Sequence, residues 1–301
     1  MKFNNTFKGH TLAILTILIW GTTYIATKSL TTDFSPIEIL LIRCIVAYIV
    51  LWIMYPHPSK PTTFKRELMF FLGGLTGLGG YQYLENIALT ETPATTMALI
   101  ISTAPIFTAI FAGILLKDEK IHLGTILGFI FCLIGIYFIN CGGTWTLSFS
   151  LKTSILPIIC AIFWGMYDVI VRFIHKEEPN GFISTRRIFF YGTLITVVLA
   201  FFDKNVSFTN WARFTKLSNI WWLFFLAVLA SGIAFYTWNT SEKYLGAIQT
   251  SLYLDFQPVI TMIVAYLVLQ EQLTIWNIIG FIGCLAGLLC ANFIKPKQVK
   301  S

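Results

Sequence analysis

The sequence predicts an all-α integral membrane protein with ten transmembrane helices that form a 5+5 inverted repeat. Three observations predict this class: an apolar composition, a regular series of apolar segments, and a second half that repeats the first. Of the 301 residues, 56% are hydrophobic and only 12% are charged, and the mean hydropathy is +0.74. A water-soluble domain with this composition would aggregate, so the bilayer must be its solvent.

Apolar segments recur along the whole chain, separated by short loops with turn residues. A helix needs about 20 residues to cross a hydrocarbon core of ~30 Å, and each segment approaches that length. The segments therefore predict membrane-spanning helices rather than buried helices of a soluble domain. The predicted helices cover residues 11–30, 36–55, 67–89, 94–116, 122–140, 153–175, 182–202, 219–241, 246–270 and 275–294.

The basic residues are distributed unevenly between the two sides that ten crossings define. The side of the N-terminus carries fifteen: Lys2, Lys8, Lys60, Lys65, Arg66, Lys117, Lys120, Arg172, Lys176, Arg186, Arg187, Lys243, Lys295, Lys297 and Lys300. The other side carries five: Lys28, Lys152, Lys204, Arg213 and Lys216. Because cytoplasmic loops are enriched in Lys and Arg, both termini are predicted to be cytoplasmic, in the inner (cytoplasmic) membrane.

The second half of the chain repeats uncommon residues of the first half at matched spacings. Trp20-Gly21 returns as Trp164-Gly165, and an arginine follows 23 residues after each tryptophan, at Arg43 and Arg187. Further matched residues are Asn86 and Asn239, Pro105 and Pro258, and Glu119 and Glu271. Chance similarity among apolar helices is the alternative, and the rarity of the matched residues disfavours it. The repeat predicts two units, residues 1–148 and 149–301.

Each predicted unit has an odd number of helices, so the second must enter the membrane in the opposite orientation to the first. Inverted repeats give a transporter two near-equivalent conformations, with the substrate site between the halves near the membrane midplane. The repeat therefore predicts transport by alternating access. A channel is the alternative, and saturable counterflow of a labelled substrate would distinguish them.

These residues together give a sequence that resembles the drug/metabolite transporter (DMT) superfamily, in its ten-helix EamA-type branch. The resemblance rests on the paired Trp-Gly motifs, on Arg43-x-x-x-Ala47, on Asn86-x-Ala88-Leu89 with Ala94, and on the matched prolines and glutamates. It implies cytoplasmic termini and a central cavity lined by the first, third and fourth helices of each half. It also implies transport of small metabolites, often export of amino acids. The second copy departs from the family pattern at Tyr191 and at Ser241-Glu242.

Carboxylates inside apolar segments are the first candidates for function, because burying a charge in a membrane is costly. The three candidates are Glu85, Asp168 and Asp255, whose counterparts in the other half are Trp238, Tyr24 and Ser102. Since the counterparts carry no acid, the fold does not need one at these positions.

Each carboxylate also has a structural interpretation. Asp168 lies four residues before Arg172, so an ion pair along one helix competes with a role in substrate binding. Glu85 is expected near the outer end of its helix, where Lys28 or water could meet it. Asp255 has no basic residue within a turn and is the preferred candidate. We expect it to alternate between holding a proton and holding a positive group of the substrate.

Aromatic and amide side chains complete the predicted substrate site. The aromatic wall is predicted to consist of Trp20, Tyr24, Tyr81, Trp164, Tyr167, Trp238 and Tyr253. Asn86, Asn239 and Gln257 could bind the ligand or link helices, and linking is slightly favoured.

Pro105 and Pro258 are predicted to kink their helices, because proline lacks an N–H and clashes with the carbonyl four residues earlier. The carbonyls of Ile101 and Leu254 would then be unpaired at mid-depth. The glycine-rich segment 73–80 lacks the Lys-Ser/Thr of a phosphate loop and predicts close helix packing.

The predicted function is secondary transport of a small polar metabolite, most simply an amino acid or related amine, with proton coupling as one possibility. The alternatives are a larger cationic or nucleoside-type metabolite such as S-adenosylmethionine, and an exchanger without ion coupling. No enzyme motif, cofactor site or metal-type cysteine spacing is found in the sequence. The expected partners are the substrate and the lipid bilayer, not nucleic acid, since the basic residues are scattered. The chain is expected to be a monomer or a homodimer, the latter through Gly283-x-x-x-Gly287.

Overall fold

The computed structural model describes residues 2–58, 62–116, 123–141, 151–178, 180–204, 206–207 and 211–293. Within these ranges every regular element is a helix, and each predicted apolar segment is helical. Seven helical spans among the described residues are long and apolar enough to cross a membrane. The all-helical membrane fold is therefore confirmed, whereas the count of ten crossings stays a prediction.

The helices follow the predicted order, and several consist of two or three consecutive segments. They are α1 (Lys2–Trp20 and Thr23–Leu30), α2 (Pro36–Met54), α3 (Phe64–Gly74, Leu75–Gln82 and Tyr83–Leu89), α4 (Ala94–Ile101 and Ala104–Leu115), α5 (Leu123–Cys141), α6 (Leu151–Ile155 and Leu156–Glu177), α7 (Gly181–Phe202), α8 (Leu217–Phe224, Phe225–Ile233 and Ala234–Leu245), α9 (Ala247–Ser251, Leu252–Phe256 and Gln257–Leu269) and α10 (Ile275–Phe293).

Contacts at the ends of the helices fall on two opposite faces of the molecule, as alternating helix directions require. On the N-terminal face, the first turn of α3 meets the end of α6, where Arg66 Nε lies 3.3 Å from Glu177 Oε2. On the opposite face, Arg213 in the loop before α8 forms a bidentate pair with Glu38 at the start of α2, each N–O distance being 2.8 Å. Each of these ion pairs joins residues from different halves of the chain.

Glu271, one of the repeat-matched glutamates, links the halves on the opposite face. Its carboxylate accepts hydrogen bonds from the backbone N–H groups of Ala94 (2.8 Å) and Thr95 (3.1 Å) at the start of α4. A carboxylate at a helix N-terminus satisfies otherwise unpaired N–H groups and is stabilised by the helix dipole. Its counterpart Glu119, like Lys60 and the predicted boundary between residues 148 and 149, lies outside the described residues.

The predicted proline kinks are present as interruptions in α4 and α9. Pro105 and Pro258 each lie in the first turn of a new helical segment, where no N–H is needed. The predicted unpaired carbonyl of Leu254 is wrong, because it accepts a hydrogen bond from the backbone N–H of Gln257. The 3₁₀ turn over Leu252–Phe256 allows this, since its bonds span three residues rather than four.

The third helix of each half, α3 and α8, widens into π-helical turns at its centre, over Leu75–Gln82 and Phe225–Ile233. The predicted close packing of the glycine segment is confirmed in α3. A Cβ on Gly77 would lie 2.5 Å from the ring of Tyr167, and one on Gly74 would lie 2.6 Å from the backbone nitrogen of Gly192. These glycines let α3 approach α6 and α7 closely. Gly283 packs against Gly135 of the same chain, so it is used inside the molecule.

Candidate functional site

A cluster of aromatic rings lies where α1, α3, α6 and α8 meet. The ring of Trp20 is 5.0 Å from that of Trp164 in an edge-to-face arrangement, and 5.0 Å from that of Trp238. Tyr81 and Tyr167 pack on Trp164 at 4.7 and 5.1 Å. Trp20 is fixed by a 2.9 Å hydrogen bond from its Nε1 to a backbone carbonyl in the π-helical part of α8. The predicted convergence of these faces is therefore present in the structure.

A small cavity lies beside this cluster and is bounded by both halves of the chain. It is lined by Trp20, Thr23, Arg43, Tyr81, Gln82, Glu85, Ile101, Trp164, Phe235, Leu254 and Gln257. Tyr81 is the most exposed of these side chains, at 8%. The cavity is therefore closed on both sides in this conformation, and a solute could enter only if helices moved apart.

The cavity contains a buried pair of opposite charges that are not in hydrogen-bond contact. Arg43 Nη1 and Glu85 Oε1 lie 4.0 Å apart, and neither atom has a hydrogen-bond partner. The arginine is held in place by a 3.1 Å hydrogen bond from its Nε to Ser231 Oγ in the other half. Gln82 Oε1 and Trp164 Nε1 are also buried without partners.

Unpartnered polar atoms are rare in protein interiors, because each loses its hydrogen bond to water without replacement. Four such atoms around one cavity therefore indicate a site that is completed by a ligand. Arg43 offers N–H donors to an anionic group, and Glu85 offers acceptors to a cationic group. Trp164 adds one more N–H donor and an aromatic face that attracts cations.

Tyr24 and Tyr81 lie on the Glu85 side of the cavity. Their hydroxyl oxygens lie 3.2 Å apart, and Tyr81 lines the same cavity as Glu85. The predicted alternative, pairing of Glu85 with Lys28, is wrong, because Lys28 Nζ donates instead to the carbonyl of Thr92 at 2.6 Å.

A second polar cluster surrounds Asp168 on α6. Its carboxylate accepts a 2.8 Å hydrogen bond from Thr108 Oγ1 and a 3.2 Å bond from Trp238 Nε1. Gly165 makes the first contact possible, because a Cβ there would lie 2.7 Å from the backbone nitrogen of Thr108. The alternative pairing of Asp168 with Arg172 is not formed in the structure.

The predicted amide residues link helices, as the sequence slightly favoured. Asn86 Nδ2 donates to the carbonyl of Pro36 at 2.9 Å. Asn239 accepts a hydrogen bond from the hydroxyl of Tyr167 and donates to Thr185 Oγ1, both at 2.9 Å. Gln257 has both roles, since it lines the cavity and its Nε2 donates to the backbone carbonyl of Trp20 at 3.1 Å.

Of the thirteen predicted site residues, eight do not line the cavity in this conformation: Tyr24, Asn86, Tyr167, Asp168, Trp238, Asn239, Tyr253 and Asp255. Tyr253 is half-buried, and its hydroxyl lies 2.5 Å from Nδ1 of His10 in α1. Asp255 is also half-buried, in the 3₁₀ turn of α9. Their roles in transport stay predictions.

The sequence interpretation missed several residues of the site. The sequence indicates only that Arg43 is matched in the repeat, yet this residue lines the cavity. Gln82 was overlooked although it is a polar residue in an apolar segment next to Tyr81. Glu242 was noted only as a departure from the family pattern, which was itself the available signal, because an unexpected acid in a helix is a candidate for function.

Membrane-length helices that enclose a closed polar cavity between two repeated halves define the class of multi-pass membrane transport proteins. Comparison with known families identifies the branch. The sequence profile of the EamA-like transporter family matches residues 7–141 and again residues 151–293. The chain therefore belongs to this family within the DMT superfamily, and it is a transporter of the EamA type.

Relatives of similar length support this assignment. The uncharacterized transporter YoaV of Bacillus subtilis is 23% identical, with 95% of this chain and 98% of the relative covered. YyaM, another uncharacterized transporter of Bacillus subtilis, is 27% identical over 76% of this chain and 74% of the relative. A probable terminal-alkyne amino-acid exporter of Streptantibioticus cattleyicolor is 24% identical over 93% of this chain and 91% of the relative. A solved structure with 18% identity has a TM-score of 0.65 and covers 95% of this chain and 96% of its own, which shows the fold alone.

Proposed function

We propose that this chain moves an amino acid or a related amine-bearing compound across the cytoplasmic membrane, without changing it chemically. The observation that carries the proposal is the buried pair of Arg43 and Glu85, whose facing atoms lie 4.0 Å apart without hydrogen-bond partners. An amino acid is a zwitterion with a carboxylate and an ammonium group on one carbon atom. Its carboxylate would bind Arg43, its ammonium group would bind Glu85, and each unpaired atom would gain a partner.

The surroundings of the pair also favour a small zwitterion. The rings of Trp20, Tyr81 and Trp164 supply faces that attract a cation. One relative is named a probable terminal-alkyne amino-acid exporter, and its name gives the same class of compound.

Alternating access follows from the way both halves close the cavity. Arg43 and Glu85 belong to the first half, whereas Ser231 and Trp164 belong to the second. Separation of the halves on one face at a time would expose the site to each side in turn. The loop ion pairs on the two faces are the contacts that must break.

A panel of matched ligands tests the substrate class. Purified protein is heated with an amino acid, with the amine that lacks its carboxylate, and with the acid that lacks its amino group. We expect the amino acid to raise the melting temperature more than either analogue. Glu85→Gln should remove the advantage of the amino acid over the deaminated acid. Equal effects of all three ligands, or stabilisation only by a nucleoside-type cation, would contradict the proposal.

Counterflow in proteoliposomes tests the transport mechanism. Vesicles loaded with an excess of the unlabelled ligand should transiently accumulate the labelled ligand, because an alternating-access carrier exchanges one for the other. A channel would only equilibrate the label. Glu67→Gln, which alters an ion pair far from the cavity, serves as a matched control that keeps counterflow.

We also propose that both termini face the cytoplasm. The test uses a chain whose native cysteines are replaced, with a single cysteine at His57 on the N-terminal face or at Thr32 on the opposite face; both positions are exposed. A membrane-impermeant thiol reagent added to intact cells should label Thr32→Cys and not His57→Cys. The reverse pattern would invert the topology.

A further inference from the structure

A buried pair of carboxyl groups lies outside the substrate cavity, between α6 and α8. Asp168 and Glu242 are both fully buried, at 0% exposure. The indole Nε1 of Trp238 donates to Asp168 Oδ1 at 3.2 Å and to Glu242 Oε1 at 3.1 Å. Because one N–H lies within hydrogen-bond distance of both, the two carboxyl groups are neighbours.

This pair has too few donors around it for two ionised carboxylates. Apart from the shared indole N–H, only Thr108 donates a hydrogen bond, to Asp168 Oδ2 at 2.8 Å, among the described residues. Glu242 Oε2 is buried without a hydrogen-bond partner. Neither carboxyl group forms an ion pair within the described part of the chain. Two neighbouring carboxylates that are buried away from water repel each other when both are ionised, and one proton held between them relieves this repulsion.

Charged groups near the pair do not neutralise it. Arg172 attracts Glu242 electrostatically but makes no ion pair with it. The remaining ionisable residues of α6 and α8 near the pair are Tyr167, His175, Lys176, Tyr236, Lys243 and Tyr244. The helices packed against α6 and α8 carry further ionisable residues: Lys2, Lys8, His10, Tyr24 and Lys28 on α1, Glu38, Arg43, Cys44 and Tyr48 on α2, Lys65, Arg66, Glu67, Tyr81, Tyr83 and Glu85 on α3, Arg186, Arg187 and Tyr191 on α7, and Tyr253, Asp255 and Tyr266 on α9. The described part of α4 has none.

We propose that Asp168 and Glu242 hold one proton between them and form the proton-coupling site of this transporter, separate from the substrate cavity. The proposal rests on the transport function proposed above and adds the coupling ion. Trp238 connects the two sites, because its N–H is bonded to both carboxyl groups while its ring packs on Trp20 at 5.0 Å. A movement of the cavity wall would therefore change the hydrogen bonding of the pair.

The position of the pair gives the direction in which the proton leaves. Glu242 lies in the last turn of α8, which ends at Leu245 on the N-terminal face. When the halves separate on that face, water reaches the pair and the O–H bond of the shared carboxyl group breaks. The proton passes to water, and the pair keeps one more negative charge, which hydration then stabilises. Closing of the halves requires a proton to return.

Infrared spectroscopy of the purified full-length protein tests whether the pair holds a proton, without any substrate. A protonated carboxyl group gives a C=O stretching band that shifts in D₂O and disappears as the group ionises. We expect the wild type to show this band at neutral pH and to lose it on alkaline titration. Glu242→Gln and Asp168→Asn should each lack the band, because the new amide donates to the remaining carboxylate in place of the shared proton.

The matched control is Glu85→Gln, which removes a buried carboxylate that faces Arg43, and it should retain the band. Thermal melting identifies a variant that fails to fold. If one of Glu242→Gln and Asp168→Asn does not fold, the infrared spectrum of the other variant is used. A band that persists in the folded Asp168→Asn and Glu242→Gln variants, or that is lost only in Glu85→Gln, would overturn the proposal that Asp168 and Glu242 share a proton.

The coupling role is tested separately in proteoliposomes, with the ligand that the thermal panel selects. Uptake driven by a pH gradient should be lost in Glu242→Gln, while counterflow without a gradient should persist. If every variant loses both gradient-driven uptake and counterflow, either the variants do not fold or the transport proposal is wrong. Counterflow by the wild-type protein distinguishes these two explanations. Unchanged gradient-driven uptake in Glu242→Gln, or its loss only in Asp255→Asn, would overturn the assignment and favour Asp255.

Discussion

The two halves of the chain place their buried charges at different positions of the repeat. In the first half, Glu85 on α3 faces Arg43 on α2 at 4.0 Å. In the second half, Asp168 and Glu242 share the indole N–H of Trp238, and the matched arginine, Arg187, lies elsewhere, 2.7 Å from Glu67 near the N-terminal face. The repeat therefore fixes where the helices lie, but not where the buried acids lie. Under the functions proposed above, the halves have different tasks: a zwitterion site in one and a proton site in the other.

The largest expected effect is on stability, when one charge of the Arg43–Glu85 pair is removed. Arg43→Met leaves Glu85 buried without its partner, and breaking a buried pair in this way costs about 3–5 kcal/mol. We expect a strongly lowered melting temperature in detergent. The double variant Arg43→Met with Glu85→Met should recover most of the loss, because no uncompensated charge remains. A single variant as stable as the wild type would show that Arg43 does not compensate Glu85.

Ligand binding gives the next largest effect, through a donor that belongs to the cavity alone. Trp164 Nε1 has no partner in the protein, so Trp164→Phe breaks no hydrogen bond within the fold, although the smaller ring loses packing against Trp20 and Tyr81. A lost hydrogen bond of about 1.4 kcal/mol would weaken ligand binding by about tenfold. Titration of the selected ligand by calorimetry measures this. Trp222→Phe, at a position away from the cavity, is the control, and equal effects of the two variants would mean that the indole N–H does not face the ligand.

Removing one acid from the Asp168–Glu242 pair should not lower the melting temperature, in contrast to removing Arg43 from the Arg43–Glu85 pair. Glu242→Gln replaces a shared proton with an amide donor, so it should be neutral or stabilising, by up to about 1 kcal/mol. Melting temperatures of this variant and of Arg43→Met, measured side by side, give the sign of each effect. Strong destabilisation by Glu242→Gln would contradict the expectation that the Asp168–Glu242 pair and the Arg43–Glu85 pair respond differently to the loss of one charge.

The smallest effect is expected at a contact between the halves on the opposite face. Lys216 Nζ donates to Asp33 Oδ1 at 2.7 Å, and this hydrogen bond from Lys216, together with one from Asn219, holds the pKa of the Asp33 carboxyl below its usual range. A lowered folded-state pKa means that the stabilisation is present above the unfolded-state pKa and is lost as the pH falls through the folded-state value. Because the pair is exposed, Lys216→Met should cost no more than about 1 kcal/mol at neutral pH.

The pH dependence of the same variant provides the check. The difference in melting temperature between wild type and Lys216→Met should shrink on acidification, since protonated Asp33 gains little from the lysine. A difference that stays constant down to acidic pH would mean that Lys216 acts through packing rather than charge.

The sequence by itself determined the helical membrane class, the positions of the helices and the two copies of the family unit. These features depend on apolar segment length and on matched spacings of residues such as Trp20 and Trp164, which are local and can be read along the chain. The interruptions at Pro105 and Pro258 were also predictable, because they follow from the covalent structure of proline. Much of the aromatic wall was predicted, since Trp20 and Trp164 begin the matched motifs.

Only the tertiary structure decided which polar groups meet. Arg43 reaches Glu85 and Ser231 across helices that are far apart in sequence, and Asp168 shares the indole N–H of Trp238 with Glu242. Such contacts depend on the rotation and depth of each helix. These are set by close glycine packing and by the π-helical turns of α3 and α8, which shift the facing side chains. Hydropathy and spacing do not contain that information, and for this reason the sequence alone does not show that Glu242 lies beside Asp168.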